Sequence, residues 1–213
     1  MKRISESTVR RLSLYLRLLR EVDGNRELVS SQELAERSGT TAAQVRKDLS
    51  LFGSFGQRGR GYDVAELMAS LQRILGVERR WKVAVVGVGK LGSALLGYRE
   101  LARRGFDVVA AFDADARKVG AKRGDLEVCG IEALERVIRE RAVEIAIVAT
   151  PPEAARPVVQ KLADAGVLAI LNFAPIEVDP EDAVVVRTMD LALELEALTF
   201  ALTPCQAGER AGG

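Results

Sequence analysis

The 213-residue chain contains no histidine. That absence removes Ser-His-Asp and Cys-His nucleophilic sites, histidine metal ligands and histidine proton relays together. Cysteine is scarce too. Cys129 and Cys205 stand far apart and make no C-x-x-C, which argues against a zinc site or a dithiol centre and suits a reducing cytoplasm. Each reads more simply as a small buried or surface side chain. No apolar run approaches the roughly 20 residues needed to span a bilayer. The charged start MKRISESTVRR is followed by no apolar core of a signal peptide. Neither a membrane nor a metal is an expected partner, and a cytoplasmic location is expected.

Net charge is nearly absent as well: 31 Lys+Arg against 30 Asp+Glu leave +1. At 48% hydrophobic and 29% charged residues, the chain is ordinary globular material. A cut near Glu78-Arg79-Arg80 changes the reading of the charge. Residues 1–80 hold 15 basic and 10 acidic side chains, and residues 81–213 hold 16 and 20. The neutrality is two opposed halves. A basic half suits a polyanion partner, although such a balance also occurs on ordinary soluble surfaces.

In the basic half, Val9, Leu12, Leu16 and Leu19 recur at helical spacing, so a helix is expected over about 7–22. Ser30 with Glu33 fits a capping box and opens a second helix that Ser38-Gly39 ends. Thr41 with Gln44 fits another and opens a third through about Phe52, with Val45, Leu49 and Phe52 buried. Helix, glycine turn and helix make a helix-turn-helix candidate. Gln44, Arg46, Lys47 and Ser50 lie off the apolar stripe, where a DNA-reading helix presents side chains to base edges. Gly53–Tyr62 reads as two short strands around a tip carrying Arg58, Gly59 and Arg60. Such a wing suits a minor groove, whose potential attracts arginine; the other reading is a plain hairpin with solvated arginines. A further helix is expected over 64–75.

The acidic half opens on the buried strand Lys82–Val86, which runs into Gly87-Val88-Gly89-Lys90-Leu91-Gly92 and then a helix over 93–104. This is G-x-G-x-x-G in the strand–turn–helix setting that binds a dinucleotide pyrophosphate on a helix N-terminus. The second strand, Phe106–Phe112, ends at Asp113, placed to accept both ribose hydroxyls. No arginine follows at once to take a 2′-phosphate, which favours NADH and NAD⁺ over their phosphorylated counterparts. A helix over 131–141 and a strand over 144–149 follow. Thr150 with Glu153 fits a third capping box, with Pro151 near the first helical position, opening a helix to about Ala165. After the strand Leu168–Leu171 comes Asn172-Phe173-Ala174-Pro175. Both loops follow carboxyl ends of strands, so Thr150, Pro151, Asn172, Phe173 and Ala174 are candidates to line a nicotinamide pocket; plain capping and turn chemistry would explain them equally. Val184–Arg187 is a last strand. Asp190 caps a final helix over 191–202 that is apolar on most sides, which requires either a second copy or burial in its own domain.

Q-V-R-K-D-L (Gln44–Leu49), F-G-S-F-G (Phe52–Gly56), R-G-x-G-Y (Arg58–Tyr62), G-V-G-K-L-G, N-F-A-P and M-D-L-A-L-E-L (Met189–Leu195) together resemble the Rex family of redox-sensing bacterial repressors. Leucine at 191, where an aromatic ring is expected, is the one departure. The resemblance implies a homodimer with a domain-swapped C-terminal helix, bound to palindromic double-stranded operator DNA and released by NADH but not by NAD⁺. It also implies a switch in which Asp190 pairs with Arg17 in the DNA-binding state and with Tyr98 in the NADH state. The expected architecture is α/β: a winged-helix DNA-binding domain (1–80), a Rossmann doubly wound parallel sheet (81–188), and a swapped helix with its tail (189–213). No catalytic role is expected. The rival readings are an NAD-dependent dehydrogenase, which lacks a histidine acid/base here, and a CoA-binding or purely structural module.

Overall fold

Leucine spacing makes the first helix. In the computed structural model, which describes residues 4–22, 27–56, 60–177 and 184–202, α1 (Glu6–Arg20) starts where the Ser5 hydroxyl accepts the Thr8 amide. It buries Leu12, Tyr15, Leu16, Leu18 and Leu19. α2 (Ser31–Ser38) begins with the Ser30 hydroxyl accepting the Glu33 amide at 3.1 Å. It ends at Gly39, whose φ of 67° is left-handed and free of a Cβ penalty. Thr41 accepts the Gln44 amide at 3.1 Å and opens α3 (Ala42–Ser50). α4 (Val64–Leu75) starts on Asp63 and stops at Gly76. Leu12, Leu19, Leu34, Leu49, Leu67 and Leu71 meet in one core with Tyr15 and Val45. Each such leucine contributes roughly 2 kcal/mol of transfer free energy.

The expected wing differs in its pairing. β1 (Leu28–Val29) and β2 (Tyr62–Asp63) form an antiparallel pair, Val29 opposite Tyr62. No strand forms over 53–56, because Gly53 (φ 142°) and Gly56 (φ 78°) hold that arm out of the extended region. The arms still approach closely. A Cβ on Gly56 would strike the Gly61 carbonyl oxygen, and one on Gly61 would lie 2.6 Å from that of Val29. The expected first and third helices also end earlier, at Arg20 and Ser50. Residues 1–80 form one compact unit and 81–213 a second.

In the second unit, β3 (Trp81–Val86), β4 (Phe106–Asp113), β6 (Leu126–Gly130), β7 (Ile145–Val148), β8 (Ala169–Asn172) and β9 (Val185–Thr188) lie parallel, with β5 (Lys122–Arg123) antiparallel on one edge. The order is β5-β6-β4-β3-β7-β8-β9. Counting only the parallel strands, this is the 3-2-1-4-5-6 order of a dinucleotide-binding fold, with its reversal between β3 and β7. Alternation along β3 sends Ala84 and Val86 to one face, against α7 (Leu134–Arg141) and α8 (Pro152–Asp164), and Val83 and Val85 to the other. That second face is covered by Leu95 and Leu96 of α5 (Lys90–Leu96) and Leu101 of α6 (Arg99–Arg103).

Several expectations are corrected. The single helix over 93–104 is α5 and α6, broken at Gly97-Tyr98 where Tyr98 takes a non-helical ψ of 89°. β5 and β6 were not expected. β5 is the charged pair Lys122-Arg123, and the short β6 is fixed by pairing Val128 and Cys129 with Ala111 and Phe112. Residues Ile131–Ala133 form a 3₁₀ turn before α7. The third capping box does not form. Pro151 is the N-cap and Pro152 the first helical residue. A residue before proline is pushed to extended backbone, so Thr150 falls one position short of capping. α9 (Leu191–Leu202) has its expected bounds, and it is not buried in its own unit: Leu191, Leu193, Leu195, Leu198, Phe200 and Leu202 are each at least 60% exposed.

Candidate functional site

The three motif glycines have different reasons to be glycine. Gly87 follows β3 at φ 95°, and a Cβ there would lie 2.5 Å from the Ala149 carbonyl oxygen. A Cβ on Gly92 would collide with the Gly87 carbonyl oxygen. These two are required by packing of turn, strand and helix. Gly89 caps α5 with φ −81° and has no atom within 4 Å of a would-be Cβ. Nothing inside the protein demands glycine there. The space above it is open at the N-terminus of α5, which no side chain caps; an anionic group fits that cradle. Lys90 and Leu91 are exposed beside it, while Val88 is buried.

Asp113 ends β4 nearly buried. Oδ2 accepts the Val88 amide (2.8 Å) and Lys118 Nζ (2.9 Å), and Oδ1 accepts the Asp115 amide (2.8 Å). Burial raises its pKa, but these three donors outweigh burial and hold the carboxyl below its ordinary value. A carboxylate has about four acceptor positions, so one is left for a ribose hydroxyl. The acid thus also fixes the glycine turn through Val88. Lys118 was not singled out from the sequence; its signal is its position five residues after the strand-end acid. Arg117 is held in a two-pronged pair by Asp115.

The facing loops contribute unequally. Thr150 Oγ1 is buried without a hydrogen-bond partner, the one such side-chain atom among the described residues. Its methyl carbon would lie 3.1 Å from a Cβ on Gly87, so the orphaned hydroxyl belongs to a side chain flanking the glycine turn. An open glycine cradle and an unsatisfied buried hydroxyl are what a bound dinucleotide would fill and satisfy. Pro151 is exposed next to it. Asn172 is fully buried. Its amide donates to the carbonyls of Ala174 and Ile176 and to Thr188, and its oxygen accepts the Ala174 amide. Asn172 therefore knots the loop to β9. Ala174 is buried in the core, and Phe173 packs partly buried by Ile147.

In the first unit, α3 exposes Arg46, Lys47 and Ser50, with Gln44 half-buried. Arg46 reaches Ser31 at the start of α2 (2.9 Å), and the Ser50 hydroxyl turns back to the Lys47 carbonyl. Arg60 is exposed. Arg58 and Gly59 lie outside the described residues, as does Cys205. Reading by composition missed Asp48. It sits on the apolar stripe between Val45 and Leu49, and an acid at that spacing was the signal. It is 1% exposed and takes bonds from Arg11, Tyr15 and Gln44.

Of the candidate switch residues, Arg17 is exposed on α1 in the first unit. In the second, Tyr98 is 56% exposed between α5 and α6, and Asp190 accepts the Ala192 amide at 2.8 Å. Among the described residues no group of three His, Cys, Asp or Glu side chains is placed to hold a metal ion. No helix among them is long and apolar enough to cross a membrane.

A CoA binding domain model matches residues 78–176, and a putative DNA-binding protein N-terminus model matches residues 3–50. The redox-sensing transcriptional repressor Rex of Desulforamulus reducens is 46% identical over 201 residues, covering 94% of this chain and 96% of its own. That of Carboxydothermus hydrogenoformans is 48% identical over 199 residues, covering 93% and 96%. The crystal structure of RSP, a Rex-family repressor, with β-NAD⁺ and operator DNA is similar at TM-score 0.89 and 35% identity, over 95% of this chain and 94% of that one. RSP with β-NADH is similar at TM-score 0.84 and 33% identity, over 95% of each.

Proposed function

Because the chain belongs to the Rex family of redox-sensing transcriptional repressors, we propose that it binds palindromic operator DNA as a homodimer in the cytoplasm and is released from it by NADH. It is a repressor and not an enzyme. The observation that carries this reading is the pairing in one chain of a helix-turn-helix with an exposed basic face and a dinucleotide fold whose Gly89 cradle is open.

The proposed roles follow from placement. Arg46 and Lys47 on α3 meet the DNA major groove with Gln44 and Ser50, and Arg58, Gly59 and Arg60 meet the minor groove. Gly87 and Gly92 shape the turn, and Gly89 and the adjoining residues 88–91 admit the pyrophosphate. Asp113 holds a ribose hydroxyl. Thr150 and Pro151 border the nicotinamide end, with Asn172, Phe173 and Ala174 shaping the neighbouring loop. The bound dinucleotide supplies a redox-dependent charge and ring shape, and no residue here needs to turn it over. α9, too apolar to stand alone, is covered by a second copy.

Coupling requires that the nucleotide bind two dimer conformations unequally. Two α3 helices must meet half-sites about one helical turn or a multiple apart, so a modest rotation suffices to end binding. Asp190, pairing with Arg17 in one state and Tyr98 in the other, supplies the difference. The test is a titration of the operator complex with NADH, NAD⁺ and, as control for the CoA binding match, CoA. Release by NADH at an occupancy where NAD⁺ leaves the complex intact is expected. Equal release by the two nucleotides overturns the sensor reading.

A further inference from the structure

Asp48 is a buried acid on the very helix proposed to read DNA, and its bonds are saturated. Oδ1 accepts from Arg11 Nη2 and Gln44 Nε2, both at 2.7 Å. Oδ2 accepts from Arg11 Nε at 2.6 Å and from the Tyr15 hydroxyl at 3.0 Å. Two donors per oxygen fill the carboxylate. Arg11 and Tyr15 come from α1 and tether α3 to it; they alone would satisfy a structural acid. The fourth position goes instead to Gln44, one turn earlier on α3 and half-exposed on the face that carries Lys47.

We propose that Asp48 is a positioning residue for base reading, holding the Gln44 amide so that α3 recognises an adenine in each half-site. This rests on the DNA-binding reading above. The ionised carboxylate only accepts, so it must face the amide nitrogen and not the amide oxygen. One N–H is thereby committed, leaving the second N–H and the amide oxygen as a neighbouring donor and acceptor. That pair matches adenine N7 and the adenine amino group in the major groove. A free glutamine samples many rotamers and both amide orientations. Asp48 fixes one before DNA arrives, so its ordering is not charged against binding.

The experiment uses the full chain and a duplex library randomised across the half-site. Wild type is expected to select an A·T pair at one position with a preference of roughly 10-fold. Asp48→Asn, checked for native circular dichroism, should flatten that one position and leave the others. Gln44→Met, which keeps the acid and its α1 partners, should flatten the same position. Two results overturn the proposal: Asp48→Asn weakening every sequence alike with the preference kept, or Gln44→Met leaving the profile unchanged. If Asp48→Asn does not fold, the Gln44 side-chain amide of the wild type is read by NMR. One amide proton shifted downfield and slowed in exchange with solvent supports the proposal, and the shifts and exchange rates of a free glutamine amide overturn it. Failure of wild type to enrich any duplex overturns the DNA-binding reading itself, a different outcome from a selected site indifferent to Gln44.

Discussion

Replacing Gly89 by alanine puts a methyl group where no protein atom lies within 4 Å, on a backbone that any residue adopts. Stability to denaturant is therefore expected to stay within about 0.5 kcal/mol of wild type. Affinity for NADH is expected to fall by about 10-fold or more, because the methyl group occupies the approach of the pyrophosphate. Calorimetric titration beside a urea melt separates the two, and unchanged NADH affinity removes Gly89 from the site. The glycine spacing and the strand before it were legible because a motif only a few residues long carries its own geometry, and Asp113 because it ends the next strand. Asp48 and Lys118 were not read. Asp48 takes its role from partners 33 and 37 residues away, and nothing local announces them. Asn172 was read as pocket lining because its position after a strand is visible in the sequence, whereas its four bonds within the loop and to Thr188 are not.

At the scale of elements, the helix ends carry the tests. α7 ends on Ala142 at φ 50°, the one non-glycine with positive φ among the described residues. Ala142→Gly relieves a left-handed Cβ and is expected to stabilise the chain by about 0.5–1 kcal/mol despite the added freedom of the unfolded glycine; a lower midpoint of thermal unfolding contradicts this. The α1–α3 tether gives a second test through pH. Burial, then the bond to Asp48, raises the Tyr15 pKa from 10.0 to about 12. A raised acid stabilises the fold below its unfolded pKa and loses that contribution as pH rises through its folded one. For Tyr15 the loss spans roughly pH 10 to 12. Burial raises the Asp48 pKa, but the bonds from Arg11, Gln44 and Tyr15 outweigh it and set it below the ordinary carboxylate value. Its contribution is present above that ordinary value and disappears on acidification through the lower folded one. Tyr15→Phe is expected to lower the melting temperature at neutral pH and to flatten its fall above pH 10, while the acid limb remains. An alkaline limb as steep as that of wild type assigns the loss to another group. α4, whose apolar residues recur at helical spacing, and α9, opened by Asp190, were legible to the residue. The wing was not, because its pairing is decided by burial of Val29 against Tyr62 across some thirty residues.

For the whole molecule, sensing is a coupling between two ligands, and Asp190 is where charge and helix structure are entangled. Its carboxylate caps α9 through the Ala192 amide, so Asp190→Ala removes a cap worth about 1 kcal/mol along with the charge. Asp190→Asn separates them, since asparagine caps as well as aspartate but cannot pair as an anion with Arg17. If the switch depends on that anion, Asp190→Asn keeps its folded helix and binds operator and NADH each to within about threefold of wild type. The ratio of operator affinities without and with saturating NADH then collapses toward one, from a wild-type value expected in the 5- to 150-fold range of allosteric couplings. Because coupling is reciprocal, the effect of operator on NADH affinity must collapse by the same factor. Fluorescence anisotropy of labelled operator gives the first ratio, and NADH fluorescence with and without operator gives the second. A full ratio retained in Asp190→Asn, with Asp190→Ala impaired only in stability, assigns Asp190 to capping alone and moves the switch elsewhere. Loss of one ratio without the other breaks the thermodynamic cycle and points to a change in oligomeric state, which the exposed leucines of α9 make the first thing to measure by sedimentation.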